Sequence, residues 1–251
     1  MSRECTYTAD VGIGARGARA RLVQEWLCLN GHSVAVDGQF GPASAAATRL
    51  FQQKAKLPVT GTVDRRTFER LVAPMVGALA PIDPPSGATL GDMVVAYAEQ
   101  HLAAAPREVG GQNRGPWVRL YMDGKQGAEW PWCAGFASFV MREAAESLDA
   151  PLPLEPSFSC DLLAADAKAN GCFCAGSARV VPPARVRAGA LFLNRRTAGD
   201  WVHVGIVTSA EAEVFHTIEG NTNDAGDREG YEVCRRVRGY RNKDFVVLDA
   251  E

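Results

Sequence analysis

The sequence of 251 residues lacks the features of a membrane protein, a secreted precursor or a general nucleic-acid binder. No apolar run approaches the roughly 20 residues that a membrane-spanning helix needs. Residues 1–10 contain no hydrophobic core of a secretory signal, so we expect synthesis in the cytoplasm without a signal peptide. A net charge of −2 argues against general binding to nucleic acid or to an anionic membrane surface.

The cysteines do not form a pattern typical of a disulfide framework or a metal site. There are seven, an odd number scattered along the chain, which suits a reducing compartment. Cys172 and Cys174 are too closely spaced for a zinc knuckle, and no second pair follows at a matching interval. Asp123 and Glu129 alone do not supply the alternating oxygens of a calcium loop. We therefore expect no metal and no cofactor.

The composition that is present, 47% hydrophobic and 22% charged, is that of an ordinary globular chain with room for two small domains. A stretch rich in proline and glycine with little charge indicates a semi-stiff linker. We predict a domain at residues 10–74, a linker at 75–90 and a second domain at 91–251.

The first of these domains has the pattern of a small helical module. A helix is predicted from about Ala18 to Asn30, and a second is predicted to begin at the N-cap Ser44 and to end near Lys56. Asp64 is predicted to cap a short third helix.

Three segments of this module resemble the three-helix peptidoglycan-binding domain of cell-wall enzymes. They are Asp-Gly-Gln-Phe-Gly at 37–41, Phe-Gln at 51–52 and Gly-Thr-Val-Asp at 61–64. The resemblance implies peptidoglycan as a partner and the surface near the first segment as the contact, with Asp37, Gln39 and Phe40 as candidate wall-binding residues. A rigid spacer or a protein-docking module is the alternative.

The second domain is organised around Cys133, which follows Trp130-Pro131-Trp132 and opens a helix-periodic apolar run. A cysteine in the first turn of a helix lies at the positive end of the helix dipole, which lowers a thiol pKa from ~8.5 into a range of ~3.5 to 7.5. Cys133 is therefore a candidate nucleophile. The alternative is a buried core thiol.

A cysteine nucleophile needs a base and a group that orients the base. His203 lies in an alternating strand pattern, and a second strand leads into Glu219-Gly220-Asn221. A hairpin with its tip near Glu211 places His203 across from Glu219, with an uncertainty of one residue in register. His203 is thus the predicted base, with Glu219 and Asn221 to hold its ring.

Helical patterns come first in this domain and strand patterns follow, which indicates an α+β domain with a mostly antiparallel, half-open barrel. The predicted strands are at about 190–194, 201–208, 213–219, 231–238 and 245–249. The helix that begins at Cys133 is expected to pack on this sheet and to form a cleft there.

The order Pro-Trp-Cys133, His203-Val-Gly and Glu219-Gly-Asn221 resembles the CHAP (cysteine, histidine-dependent amidohydrolase/peptidase) family over roughly Leu90 to the C-terminus. These papain-like enzymes, related to the NlpC type, cleave amide bonds of bacterial cell walls. The resemblance implies Cys133, His203, Glu219 and Asn221 as catalytic residues. By analogy with papain-like sites, Gln112 in the irregular loop 108–129 is a candidate oxyanion donor, and Trp130 and Trp132 are candidate cleft walls.

These resemblances together imply a peptidoglycan hydrolase, either an N-acetylmuramoyl-L-alanine amidase or a stem-peptide endopeptidase. It would act on the wall or in the periplasm as a phage endolysin or as an antibacterial effector of a type VI (contractile) secretion system. The alternatives are a cysteine peptidase or acyltransferase on another substrate, and a non-catalytic wall-binding protein. We expect a monomer that binds peptidoglycan and binds neither nucleic acid nor membranes. Whether an immunity or inhibitor protein binds is left open.

Overall fold

The computed structural model describes residues 2–176, 186–223 and 230–249. The chain divides into two units, one formed by Met1–Leu79 with Arg107–Ala128 and the other by Ala80–Pro106 with Glu129–Glu251. None of the helices in these ranges is both long enough and apolar enough to cross a membrane.

In chain order, after a 3₁₀ turn at Arg3–Cys5, the helices are α1 (Ala18–Leu29), α2 (Pro42–Lys54), α3 (Arg65–Ala78), α4 (Leu90–Ala103), α5 (Pro116–Tyr121), α6 (Cys133–Leu148) and α7 (Cys160–Ala169). The strands are β1 (Phe173–Cys174), β2 (Leu191–Thr197), β3 (Asp200–Ala210), β4 (Val214–Thr222), β5 (Glu232–Gly239) and β6 (Lys243–Val246).

The first unit contains the three predicted helices with two differences at their ends. Asp64 caps α3 as predicted, because its Oδ1 accepts a hydrogen bond from the Thr67 backbone N–H at 2.8 Å. Ser44 is not the N-cap of α2: the helix begins at Pro42, whose fixed φ suits the first helical position. The Ser44 side chain is buried instead and accepts a hydrogen bond from Gln24 Nε2 at 3.2 Å.

Helix α3 continues through Pro74, where the sequence predicts the linker to start. A proline in a helix removes one backbone hydrogen bond, but Met75 and Ala78 on the following turn are both buried. Burial of these side chains compensates the lost bond, so residues 75–78 of the predicted linker are helical.

Residues 107–128, predicted to be an irregular part of the second domain, pack with the first unit and contain α5. Arg119 on α5 donates from Nε to Glu4 Oε1 at 2.9 Å and from Nη2 to Glu25 Oε2 at 2.7 Å. The Trp117 ring meets the Trp26 ring edge-on, with centroids 6.5 Å apart. These long-range contacts explain why residues 107–128 belong to the first unit and not to the predicted second domain.

The second unit is an antiparallel sheet covered by helices, which confirms the predicted α+β class. The six strands lie in the order β1-β6-β2-β3-β4-β5, and every adjacent pair is antiparallel. Helix α6 packs on β3 and β4, and α7 packs on β3. The two-residue strand β1 is too short to leave an alternating pattern, and the sequence did not predict it.

Helix α4 holds α6 in place through a buried polar pair. His101 is fully buried, and its Nε2 lies 2.8 Å from Glu143 Oε2 on α6. Its ring also meets the edges of Phe136 and Phe139. His101 is therefore a packing residue, because its position on α4 faces α6.

Candidate active site

Cys133 is the first residue of α6 and is 4% exposed. Close approach of α6 to β4 depends on Gly220, since a Cβ added there would lie 2.7 Å from Phe136 Cβ. Any larger residue at 220 would push α6 off the sheet. The glycine between Glu219 and Asn221 thus lets α6 pack directly on the strand that carries them.

His203 and Glu219 form the predicted pair, although the strand register differs from the predicted one. Ile206 lies opposite Ile218, so the next pair places Glu219 opposite Gly205, and His203 is two residues farther along β3. The shift arises because the turn between β3 and β4 lies at residues 211–213, beyond the predicted tip near Glu211, and the irregularity between Val207 and Ser209 reduces it by one residue. His203 Nε2 lies 2.8 Å from Glu219 Oε2.

Gly205 is what allows this diagonal pair to form. A Cβ on residue 205 would lie 2.6 Å from Glu219 Cγ and 2.7 Å from a ring carbon of Phe192. With no side chain at 205, the Glu219 carboxylate can cross that position and reach the imidazole. The sequence motif His-Val-Gly contains this residue, but its role depends on the observed register.

The Glu219 carboxylate is fully buried and receives donors from three sides. Thr217 Oγ1 donates to Oε1 at 2.6 Å, and Arg238 on β5 donates from Nε to Oε1 at 2.8 Å and from Nη2 to Oε2 at 2.6 Å. Burial alone would raise the Glu219 pKa, but the hydrogen bonds from Arg238 and His203 outweigh it and lower the pKa to about 2. Glu219 is therefore a fixed negative charge behind the imidazole.

The Cys133 sulfur interacts with the His203 side chain and with the backbone N–H of Val204. Because Nε2 of the imidazole is paired with Glu219, the nitrogen left for the sulfur is Nδ1. Burial would lower the His203 pKa, but the hydrogen bonds with Cys133 and Glu219 raise it to about 9. These groups therefore favour a thiolate–imidazolium pair near neutral pH.

A second thiol, which the sequence analysis did not assign to the site, lies against the first. Cys160 is the first residue of α7, and its Sγ is 4.0 Å from Cys133 Sγ. A hydrogen bond from Cys160, followed by the one from His203, holds the pKa of Cys133 well below its ordinary value in spite of burial. The Cys160 pKa is raised well above its ordinary value by the same hydrogen bond and by burial.

The remaining predicted residues of the site occupy different environments. Trp132 is fully buried and belongs to the core beneath the helix start, so it does not line an open cleft, whereas Trp130 is half-buried. Asn221 is buried with a positive φ of 53°, and its Oδ1 has no hydrogen-bond partner among the described residues. Gln112 lies in the first unit and Cys133 in the second.

The predicted wall-binding residues hold a turn together. Asp37 Oδ1 accepts hydrogen bonds from Gln24 Nε2 and from the Gln39 backbone N–H, both at 2.8 Å. Gln39 Oε1 accepts a hydrogen bond from Arg16 Nη1 at 2.8 Å. Phe40 is 1% exposed, so its ring is core and the expectation that it contacts the wall is wrong. A local turn motif does not reveal which of its side chains point inward.

No three His, Cys, Asp or Glu side chains converge as a metal site within residues 2–176, 186–223 and 230–249.

A comparison with curated proteins gives no match. The solved structures that are similar to parts of the chain include the following two. The N-terminal domain of SleB is 34% identical, with 27% of this chain and 96% of that chain covered and a TM-score of 0.26.

The other structure is a fused Zn-dependent amidase/peptidase/peptidoglycan-binding domain-containing protein from Clostridium acetobutylicum. It is 22% identical, with 37% of this chain and 43% of that chain covered and a TM-score of 0.26. This chain therefore spans less than half of that protein. The family model of the peptidoglycan binding domain matches residues 16–71, the part that forms α1, α2 and the first half of α3. Residues 16–71 are a peptidoglycan-binding domain.

Proposed function

We propose that this protein is a peptidoglycan hydrolase that cleaves an amide bond of the bacterial cell wall with Cys133 as nucleophile. The observation that carries the proposal is the arrangement in which the Cys133 sulfur interacts with His203 and the His203 ring is paired at 2.8 Å with the buried Glu219. Cysteine hydrolases need a thiolate, a base beside it and a group that orients the base. The peptidoglycan-binding domain at residues 16–71 of the same chain supports the wall as the substrate.

In the proposed reaction, the Cys133 thiolate attacks the carbonyl carbon of a wall amide. The developing oxyanion accepts hydrogen bonds from the backbone N–H groups at the start of α6. One such donor lowers the barrier by about 3 to 4 kcal/mol. His203 gives its proton to the leaving amine and a thioester remains on Cys133. A water molecule that His203 then deprotonates hydrolyses this thioester and frees the thiolate.

Each neighbouring residue has a defined part in this scheme. Glu219 fixes the orientation and tautomer of the imidazole and stabilises its charged form, and Arg238 and Thr217 fix Glu219. Asn221 as an aid to Glu219 stays part of the proposal. Delivery as an endolysin or as a secreted effector likewise belongs to it.

Mass analysis of the muropeptides released from purified sacculi tests the proposal. If the wild type releases stem peptides with a free L-alanine amine and leaves glycan strands without peptide, it is an amidase. If the stems are shortened, it is an endopeptidase. An unchanged profile together with retained binding to sacculi would mean that the protein binds the wall without cutting it.

We place the wall contact of the first unit at a cavity of about 360 Å³ rather than at the turn 37–41. Its lining comprises Asn30, Phe51, Lys54, Ala55, Arg70, Ala73 and Pro74. Two of these side chains are cationic, none is acidic, and neither Lys54 nor Arg70 has a hydrogen-bond or ion-pair partner among the described residues. Stem peptides carry carboxylates, which such a cavity complements in charge.

Replacing both cations, as Lys54→Ala with Arg70→Ala, is expected to weaken binding to sacculi about tenfold. That loss corresponds to one charge-assisted hydrogen bond of about 1.5 kcal/mol. The measurement is a pull-down with purified sacculi over a range of protein concentrations. The control is Arg19→Ala with Arg21→Ala, two exposed residues of α1 outside this cavity. An equal loss in the control would indicate general attraction by charge and contradict the cavity.

A further inference from the structure

Cys160 stands outside the Cys133–His203–Glu219 series, and its contact with Cys133 is a second feature of the site. Its sulfur lies 4.0 Å from that of Cys133, although the two residues are 27 positions apart in the sequence. Each residue begins a helix, α6 for Cys133 and α7 for Cys160. A disulfide has an S–S length of about 2.0 Å, so the sulfurs need to approach by about 2 Å to bond.

The surroundings of the pair favour oxidation at Cys133. A thiolate, and not a thiol, reacts with peroxides, and Cys133 is the thiol that His203 and the backbone N–H of Val204 stabilise as an anion. Both sulfurs are on buried residues, with 4% exposure for Cys133 and 8% for Cys160. Cys160, whose sulfur lies 4.0 Å away, is therefore the thiol placed to react with an oxidised Cys133.

We propose that Cys133 and Cys160 form a redox modification site, in which a hydroperoxide oxidises Cys133 and Cys160 resolves the product into a reversible disulfide. The loss of activity that would accompany the disulfide rests on the proposed function, because it follows from Cys133 being the nucleophile. Formation of the disulfide itself does not depend on that function.

The chemistry balances with the hydroperoxide as the two-electron oxidant. The Cys133 thiolate attacks one peroxide oxygen, an S–O bond forms, the O–O bond breaks, and the departing oxygen takes up a proton as water or alcohol. The product is a sulfenic acid on Cys133. The Cys160 sulfur then attacks the Cys133 sulfur, an S–S bond forms, and the S–O bond breaks. The hydroxide that leaves takes the Cys160 proton and departs as water.

The expected consequence is protection as well as inactivation. Without a second thiol, further peroxide carries a sulfenic acid to a sulfinic acid, which ordinary thiols do not reduce. With Cys160 at 4.0 Å, the sulfenic acid is consumed first, and a dithiol can restore both sulfurs. Cys172 makes a useful comparison because its thiol, beyond the other end of α7, donates to the Ala167 carbonyl oxygen.

The test treats the full-length protein with hydrogen peroxide in the absence of small thiols and maps its tryptic peptides without reduction. Trypsin isolates the two cysteines on separate peptides, 126–142 and 143–168. We expect these peptides to be linked with the loss of two hydrogen atoms, and dithiothreitol to separate them and restore wall hydrolysis. Unlinked peptides, with Cys133 either unmodified or carrying two added oxygen atoms, would overturn the proposal.

Two variants sharpen the result. In Cys160→Ser, we expect no linked peptide, accumulation of the sulfinic acid on Cys133 and no recovery with dithiothreitol. In Cys172→Ser, we expect the link to form as in the wild type. If the linked peptide forms in a protein that does not cut sacculi, the proposed function fails and the modification site stands. If sacculi are cut but no link forms, the reverse holds.

Discussion

Replacing Cys133 with serine is expected to lower the rate of wall hydrolysis on the order of 10⁴-fold or more, the loss typical of removing a nucleophile that acts as a unit with its base. A serine hydroxyl next to His203 stays protonated near neutral pH, whereas the thiol at the head of α6 is held as a thiolate. The measurement is the initial rate of muropeptide release from purified sacculi.

The same variant should keep its fold and its affinity for sacculi. Serine is nearly the size of cysteine, and the peptidoglycan-binding domain at residues 16–71 is not altered. Cys28→Ser is the matched control. Cys28 lies in α1, its Sγ donates to the Val34 carbonyl oxygen, and a serine hydroxyl can make the same bond. A Cys133→Ser protein that hydrolyses sacculi within tenfold of the wild-type rate would rule out Cys133 as the nucleophile.

The parts of the second unit that the sequence predicts are those set by local pattern. An apolar period beginning at Cys133 predicts a helix start, and alternation around His203 predicts a strand, and both are confirmed. Packing across elements is not encoded locally. The turn at residues 211–213 and the irregularity after Val207 together set a register two residues from the predicted one, so the predicted opposition of His203 and Glu219 becomes a diagonal contact across Gly205.

Residues that complete the candidate site come from distant elements, and this explains why the sequence did not reveal them. Arg238 is one of several arginines on β5, and only its place beside β4 distinguishes it from its neighbours. Cys160 is the first residue of α7, but its distance from Cys133 depends on how α7 packs against β3. The same limit explains why Phe40 and Trp132, predicted at binding surfaces, lie in the core.

Changing Glu219 to glutamine is expected to lower kcat/KM by about 10³-fold and to move the upper limb of its pH profile downward. In the wild type, His203 must be protonated to serve the leaving amine, so activity should fall as the pH rises through its pKa of about 9. Glutamine keeps the shape of the side chain but removes the charge that helps to raise this pKa. The protonated form of His203 is then lost at a lower pH.

This shift separates a positioning role from a structural one. Loss of one partner from a buried ion pair also costs about 3 to 5 kcal/mol of stability, because the Arg238 guanidinium loses its carboxylate. Reduced stability alone lowers the amount of active protein without moving the pKa that the profile reports. The measurement is therefore kcat/KM on a soluble muropeptide from about pH 5 to about pH 10, with the melting temperature recorded for each protein.

Glu211→Gln provides the matched control on the same β-hairpin. Its carboxylate lies 3.0 Å from His216 Nε2 at the exposed end of the hairpin, so the same chemical change is made at a histidine pair that the mechanism does not use. We expect the Glu211→Gln profile to overlay that of the wild type. An upper limb that stays in place in Glu219→Gln would contradict the role of this carboxylate, since the pKa of His203 would then not depend on it.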